Sequence, residues 1–218
     1  MKIFRKERLP NGRRHVYFCD IKIASYNRTH KKRCDNFTVS GNNNTIVNCP
    51  LSCGGYIYGN NNKIIFGKNV SWVGDIYIGL PDVPINNCSV IIGDNCTANG
   101  VGIRICENGT NVKIGQDCMF SSAIIIWASD THTITDSKGV IKNIGKYVEI
   151  GDHVWVGYGV SIAKNTTIAN GCVIGMHSVV TGRNEIENCI IAGNPAKIVK
   201  KDIKWDRRRP AQYIKDTL

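Results

Sequence analysis

The sequence predicts an all-β protein whose chain winds as a parallel β-helix. Between Ile150 and Val179 it divides into five consecutive hexads, each opened by an aliphatic residue that glycine or alanine follows. The fifth residue of a hexad lies two positions before the next opener, which is the spacing that places neighbours on one face of a strand. The segment SGNNN at 40–44 returns as YGNNN at 58–62, a shift of eighteen that equals three hexads. An α-helix would need apolar spacings of three and four, which do not persist. We therefore expect stacked coils that each bury an inner face against the next.

A basic extension, residues 1–36, precedes the coils. Within it, residues 14–26 carry β-branched and aromatic side chains on both sides of Cys19 and Asp20. This pattern predicts a β-hairpin or a pair of strands. The β-helix domain then occupies residues 37–199.

The coils are not all of one length. Hexads that begin at Phe66, Ile92 and Ile114 are separated by 26 and 22 residues, so the coils between them must bulge by eight and by four residues. Insertions in a solenoid go to its corners, because the strands have fixed stacking partners. The distance from Gly115 to Gly151 is 36 residues, which the period interprets as two coils.

The C-terminal region, residues 200–218, is predicted to be a basic helical cap or tail. The period ends after Val180, and Asn194 and Pro195 interrupt the backbone. The following segment, residues 196–205, is predicted as a short helix that covers the open end of the solenoid.

Composition limits the class of protein. The chain has 218 residues, of which 42% are hydrophobic, enough for one globular domain with a continuous core. The longest apolar run near its middle, residues 123–128, is far shorter than the roughly 20 residues that span a bilayer. The basic start lacks a following apolar stretch, so we expect no signal peptide and a cytoplasmic protein.

The net charge of +11 is concentrated at the two ends. Residues 1–36 hold eleven Lys or Arg against three acids, and residues 197–218 hold eight against three. Such ends predict anionic partners, namely coenzyme phosphates, an acidic polysaccharide or the inner face of a membrane, although solvated tails would have the same composition. No aromatic platform is interleaved with the charges, so no nucleic-acid partner is expected.

The ten cysteines do not indicate a disulfide framework. Cys96, Cys118 and Cys172 fall on the small inward position of a hexad, which predicts buried free thiols that act as small hydrophobes. Cys49 and Cys53 are four residues apart without a second pair of ligands in register, so spacing alone gives little support for zinc. We predict no metal.

The largest interruption in the strongly periodic half lies between Ser129 and Asn143, where the residues are polar and irregular. We call this segment the excursion, and it contains His132. Loops on a rigid scaffold commonly carry chemistry. An imidazole can accept a proton at neutral pH, so His132 is a candidate general base. Asp130 is a candidate to orient this histidine or to contact a substrate, although a simple turn residue would look the same.

Three motifs resemble a known family: SDTH at 129–132, DHVWVG at 152–157 and IAGNPAKIV at 191–199. Together with the hexads they are similar to the left-handed β-helix acyltransferases, in the branch of sugar, antibiotic and capsular polysaccharide O-acetyltransferases that includes enzymes acting on sialic acid capsules. The resemblance is strong over residues 90–205 and weak over the first 35. It implies left-handed coils, which the general preference for right-handed crossovers would not predict.

The resemblance also implies a site. Acetyl-CoA would be the co-substrate and transfer would be direct, with His132 as general base and Trp155 as a wall for the thioester. A backbone N–H around Gly157 and Tyr158 would stabilise the oxyanion. The family is trimeric, with its active sites between subunits. Coenzyme positions map to Gly175, Met176, Thr181, Lys197 and Lys200, and the two lysines would lie near the phosphates.

The expected function is O-acetylation of a saccharide hydroxyl, in a capsule or other surface polysaccharide that includes sialic acid polymers among the candidates. A small acceptor such as an antibiotic or a nucleotide sugar is the alternative, and a non-catalytic solenoid that binds an anionic glycan or nucleic acid is an alternative of another class. Some solenoids of this shape carry zinc as carbonic anhydrases. The separations of His132, His153 and His177, 21 and 24 residues, argue against such a site because neither is a multiple of eighteen.

Overall fold

The computed structural model describes the backbone of residues 4–8, 13–18 and 21–27, and residues 36–217 with their side chains. The chain divides into two compact units, Met1–Cys34 and Asp35–Leu218. The first unit contains a three-stranded antiparallel sheet of β1 (Phe4–Arg8), β2 (Arg13–Phe18) and β3 (Ile21–Asn27). The strands predicted over residues 14–26 correspond to β2 and β3, with Cys19 and Asp20 outside the described residues, and β1 is a third strand that the sequence interpretation did not include.

The second unit is a parallel β-helix with three faces, as predicted. Its strands in chain order are β4 (Phe37–Ser40), β5 (Thr45–Val47), β6 (Cys53–Tyr58), β7 (Lys63–Phe66), β8 (Ser71–Ile78), β9 (Ser89–Ile92), β10 (Thr97–Ile105), β11 (Asn111–Ile114), β12 (Met119–Phe120), β13 (Ile124–Trp127), β14 (Tyr147–Ile150), β15 (Trp155–Val156), β16 (Ser161–Ala163), β17 (Thr166–Ile168), β18 (Val173–Ile174), β19 (Val179–Val180), β20 (Arg183–Asn184), β21 (Ile190–Gly193) and β22 (Ala196–Lys200).

Register assigns the strands to faces. The first face contains β12, β15, β18 and β21, and the second contains β4, β13, β16 and β19. The second face also contains β6, whereas the longer strands β8 and β10 bend from the first face to the second and therefore join both into one sheet. The third face is a separate seven-stranded sheet of β5, β7, β9, β11, β14, β17 and β20.

The core lies inside the coils and follows the hexads. All five openers are at most 3% exposed, and the fifth-place residues of the same hexads are fully buried: Ile150, Val156, Ile162, Ile168 and Ile174, and Val154, Val160, Thr166, Cys172 and Ser178. Cys96, Cys118 and Cys172 are buried free thiols, as predicted. In the earlier coils, where residues are larger, Phe66, Trp72 and Phe120 pack edge to face or tilted against one another.

The register confirms the spacings of 18, 26 and 22 residues, the first through the pairing of Ser40 with Tyr58, and corrects the interpretation of the spacing of 36. Phe66 pairs with Ile92, and Ile92 with Ile114, which gives the predicted bulged coils. However, Ile114 pairs directly with Ile150, so the 36-residue interval that contains Gly115 and Gly151 is a single coil. The interpretation as two coils was wrong because the excursion makes this single coil as long as two regular coils.

Asparagines form the corner between the second and third faces. Asn43, Asn61 and Asn87 have φ values of 56°, 59° and 59°, in the left-handed region that asparagine tolerates better than most residues. Their side chains bond from coil to coil, with Asn43 Nδ2 donating to Asn61 Oδ1 at 3.2 Å and Asn61 Nδ2 to Asn87 Oδ1 at 3.3 Å. The asparagine runs are therefore structural ladders.

The C-terminal prediction was partly wrong. The chain does reverse at Asn194 and Pro195, but residues 196–200 form β22, which pairs antiparallel with β21 and so covers the exposed edge of the first face. A helix predicted over 196–205 would have left that edge unpaired. The helix of the structure is α1 (Pro210–Thr217), which buries none of its residues. No helix in the described part of the chain is long and apolar enough to cross a membrane.

Candidate active site

The excursion leaves the solenoid between β13 and β14, at the corner between the second and third faces. Its base is bonded to the preceding coil. Ser129 is buried and its hydroxyl accepts a hydrogen bond from the Cys106 N–H at 2.6 Å. On the returning arm, the Glu107 carboxylate accepts from the Gly145 N–H, and the Thr110 hydroxyl donates to the Gly145 carbonyl. Both arms are therefore fixed where they leave the scaffold.

The tip of the excursion is a small hairpin. Thr135 and Ile141 form an antiparallel bridge. Asp136 closes the turn, because its carboxylate accepts from the N–H groups of Lys138 at 2.9 Å and Val140 at 3.0 Å. The predicted irregular loop therefore has a defined conformation.

Asn143 holds the two arms together around His132. Its side chain is only 9% exposed. The Nδ2 group donates to Asp130 Oδ2 at 2.9 Å and to the His132 carbonyl at 2.7 Å, and Oδ1 accepts from the Ile134 N–H at 2.8 Å. The His132 imidazole itself is exposed. Sequence reasoning noted Asn143 only as the end of the excursion, because a buried amide within an aperiodic segment gives no periodic signal.

Asp130 forms an ion pair with the next coil. Lys164 Nζ lies 2.5 Å from Asp130 Oδ2. Desolvation, the largest contribution, raises the pKa of Asp130, but the hydrogen bonds from Lys164 and Asn143 and the charge of Lys164 together lower it below its ordinary value. The carboxylate is thus held ionised by these two partners. Its connection to His132 runs through Asn143 and through a backbone bond from the His132 N–H to the Asp130 carbonyl.

Trp155 lies on a different side of the solenoid. It belongs to β15 at the start of the first face, in register with Met119 and Val173, and it is 39% exposed. His132 is at the corner between the second and third faces. A single chain therefore does not bring these two predicted catalytic residues together.

Four predicted coenzyme residues do meet, at the corner between the first and second faces. Gly157 and Tyr158 lie on one coil, and Gly175 and Met176 on the next. We call these four residues the glycine corner. Tyr158 is 46% exposed and Met176 65% exposed, so the corner presents two adaptable side chains to solvent.

The glycines of this corner serve close packing. A Cβ at Gly175 would lie 2.8 Å from the Ala192 Cβ, and one at Gly157 would lie 2.8 Å from the Ile174 carbonyl oxygen. The Gly157 N–H donates to that same carbonyl at 2.9 Å. It is therefore occupied by the coil ladder and cannot supply the oxyanion donor, which corrects that part of the prediction and leaves the Tyr158 N–H as the candidate.

The remaining predicted coenzyme residues are divided. Lys197 pairs across β21 with Ala192, the residue that packs on Gly175, so it lies beside the glycine corner. Lys200 pairs with Ile190 towards the other end of β22. Thr181 follows β19 and so lies at the corner between the second and third faces, away from the others.

A second histidine also has a carboxylate partner, but both of its ring nitrogens are occupied by contacts within the fold. His153 Nδ1 lies 2.7 Å from an Asp117 carboxylate oxygen, and Nε2 lies 3.2 Å from the Trp205 carbonyl. The Trp205 indole stacks on the imidazole, with ring centroids 4.0 Å apart and planes at 10°. Because both nitrogens and one ring face are occupied, His153 is a structural residue of the corner between the third and first faces.

The zinc alternative has no support in the geometry of one chain. His132, His153 and His177 stand at three different corners of the coil. Within the part of the chain that the structure describes, no group of three or more His, Cys, Asp or Glu side chains is arranged to hold a metal ion.

Comparison with known proteins assigns the chain to a class. A family model described as bacterial transferase hexapeptide (six repeats) matches residues 147–182. The polysialic acid O-acetyltransferase of Escherichia coli O1:K1 / APEC is 37% identical over 151 residues, which cover 68% of this chain and 46% of that enzyme. The enzyme of the same name from Neisseria meningitidis is 38% identical over 176 residues, covering 78% and 79%. The chain thus spans less than half of the first relative and about four-fifths of the second.

A solved structure gives the same result. The crystal structure of the polySia specific acetyltransferase NeuO matches with a TM-score of 0.68 at 32% identity, covering 84% of this chain and 94% of that one. The chain belongs to the hexapeptide-repeat acetyltransferases, in the group related to capsular polysaccharide O-acetyltransferases. Its coils are therefore left-handed, and the resemblance carried by the three sequence motifs is confirmed.

Proposed function

We propose that the protein transfers the acetyl group of acetyl-CoA to a hydroxyl of a capsular or other surface polysaccharide, with His132 as general base. The observation that carries this proposal is the excursion itself. It presents one exposed imidazole on a backbone that Asn143 fixes on both sides, in a chain whose relatives are named polysialic acid O-acetyltransferases. Those names support a sialic acid polymer as the first acceptor to test.

The chemistry needs no covalent enzyme intermediate. The acceptor oxygen attacks the thioester carbonyl carbon while a ring nitrogen of His132 takes the hydroxyl proton. The new C–O bond gives a tetrahedral oxyanion, which a backbone N–H such as that of Tyr158 would stabilise. When the oxyanion collapses, the C–S bond breaks, and the coenzyme thiolate takes the proton back from the imidazolium. The products are the O-acetyl ester and free coenzyme A, and the histidine returns to its starting form.

The positions of the residues favour an active site between subunits. His132 and the glycine corner occupy different corners of one solenoid, so a site that contains both requires a second copy. A cyclic trimer would place the excursion of one chain against the glycine corner of the next in all three interfaces. In this arrangement Trp155 would wall the thioester, and Lys197 would lie near the coenzyme phosphates.

The experiment measures release of the coenzyme thiol with acetyl-CoA and a panel of acceptors: polysialic acid, a neutral polysaccharide, a nucleotide sugar and no acceptor. We expect acceptor-dependent release with a polysaccharide, and a loss of about 10²- to 10⁴-fold in His132→Ala. Lys138→Ala, which removes another exposed side chain of the excursion, is the matched control. Turnover only with a nucleotide sugar would favour the small-acceptor alternative. Release that is unaffected by His132→Ala would refute the mechanism, and polysaccharide binding without any release would indicate a non-catalytic solenoid.

A further inference from the structure

The chain beyond β22 does not project away from the solenoid. Residues 201–209, which we call the C-terminal strap, run back along the corner between the third and first faces. The Ile203 N–H donates to the Asn188 carbonyl at 2.9 Å, on the last of these corners. Trp205 then lies on His153, two coils further back, and Arg207 reaches the coils before it. The strap therefore crosses several successive coils.

Arg207 anchors the strap with four hydrogen bonds. Nε donates to Asp117 Oδ1 at 2.8 Å, and Nη1 donates to the Thr97 hydroxyl at 2.9 Å. Nη2 donates to the carbonyls of Cys118 at 2.9 Å and Asn95 at 3.2 Å. A planar guanidinium bonded in four directions has one orientation, which fixes the backbone of the strap on both coils.

Trp205 is held in place by a hydrogen bond and by ring stacking. Its Nε1–H donates to the His153 carbonyl at 2.8 Å, and its ring stacks on the imidazole, whose Nδ1 lies 2.7 Å from an Asp117 carboxylate oxygen. Asp117 is also the carboxylate that Arg207 binds, so one acidic residue ties the strap and the histidine together.

Trp155 is the neighbour of this fixed ring. The centroids of the Trp155 and Trp205 indoles are 6.1 Å apart, with planes at 46°, which is the tilted geometry that aromatic pairs favour. On a strand of only two residues, an outward side chain that is 39% exposed would otherwise have several rotamers open to it. The Trp205 ring occupies the space on the side of the strap, and so limits where the Trp155 indole can turn.

We infer that Trp205 is a positioning residue for the transfer reaction, and that it acts by holding the Trp155 indole in one orientation. The inference rests on the proposed role of Trp155 as the wall of the thioester. A wall fulfils that role only when it is already in place, because a misplacement of about 1 Å in a positioned group can cost on the order of 100-fold in rate. The strap is then part of the active site although it touches no reacting atom.

The test combines kinetics with a spectroscopic signature. Two indoles at this separation should give a coupled exciton signal in the far-UV circular dichroism of the substrate-free protein. Trp155→Ala and Trp205→Ala should each abolish that signal, and Trp205→Ala should lower kcat/KM for acetyl-CoA by roughly 10-fold. In a Trp155→Ala background, Trp205→Ala should cause less than about a 2-fold further loss, because residues that act through one another are not additive.

Two further variants keep the result interpretable. Trp205→Phe retains a stacked ring and should recover much of the activity, whereas Tyr213→Ala removes an exposed ring from α1 and should leave activity unchanged. Wild-type kcat/KM in Trp205→Ala, or an equal loss in both backgrounds, would overturn the inference. If Trp155→Ala itself is fully active while His132→Ala is not, the role proposed for Trp155 fails and the general-base mechanism stands.

Discussion

Replacing Asn143 by alanine tests whether the excursion is a built support for His132. The substitution removes three hydrogen bonds from a side chain that is 9% exposed, to the Asp130 carboxylate, the His132 carbonyl and the Ile134 N–H. Each such bond contributes about 1 kcal/mol net, so the conformation that holds His132 loses about 3 kcal/mol. At about 1.4 kcal/mol for each tenfold change, this predicts on the order of a 100-fold decrease in the ratio of this conformation to those in which His132 is displaced.

The effect should be local. The excursion opens without disturbing the coils, whose core is elsewhere, so its loss should change the midpoint of thermal unfolding by little. We therefore expect Asn143→Ala to lower kcat strongly, measured by coenzyme release, while its melting temperature, measured by circular dichroism, stays close to that of the wild type. Ser137→Ala, at the exposed tip of the excursion, is the control and should match the wild type. A wild-type kcat in Asn143→Ala would refute the reasoning, as would a kinetic loss explained by general unfolding.

Two other predictions concern the corners. Desolvation raises the pKa of Asp117, but hydrogen bonds from His153 and Arg207 and the charge of Arg207 together lower it by a larger amount, so its folded pKa lies below the unfolded value of about 3.9. The ionised Asp117 carboxylate should therefore stabilise the fold fully above the unfolded pKa, and this stabilisation should disappear as the pH falls through the folded pKa. The difference in melting temperature between the wild type and Asp117→Asn should accordingly shrink in acid. A difference that is independent of pH would contradict this prediction. Gly175→Ala should lower the free energy of unfolding by about 1–3 kcal/mol, because the added Cβ would overpack against Ala192, and it should raise the KM for acetyl-CoA. Gly100→Ala is the control and should lower the free energy of unfolding by less, because its added Cβ would have its nearest neighbour at 3.3 Å. Equal losses in the two variants would show that the glycine corner is not packed more tightly than other positions.

The period of the sequence predicted the scaffold because each hexad carries its own structural information. An opener such as Val156 and a fifth-place residue such as Val160 had to face inward, and both are fully buried. Periodicity could not reveal a coil lengthened by a whole period, so the interval from Gly115 to Gly151 was misinterpreted. It also gave no information on Asn143, Trp205 or Arg207, whose partners lie 9 to 112 residues away in the chain.

The predicted helix over 196–205 failed for a related reason. Local pattern favoured a helix, but the unpaired edge of β21 offered Ala196 and Ile198 a set of backbone partners that no local rule records. The site residues were predicted from the family resemblance, and the structure shows at which corner of the coil each of them lies. Gly157, Tyr158, Gly175, Met176 and Lys197 lie together, whereas Thr181 and Lys200 do not join them.

The three corners of the coil differ in what they leave exposed, and this difference bears on how the reaction can be organised. The corner between the third and first faces is covered by the C-terminal strap, which stacks on one face of the His153 ring. The other two corners remain open, one with the His132 excursion and one with the glycine corner. Since a rigid triangular solenoid cannot fold one open corner onto the other, a single chain keeps His132 away from the glycine corner, where we propose that the coenzyme binds. Closed symmetric association would bring the two together through one repeated interface, because each copy would supply its excursion to one neighbour and its glycine corner to the other.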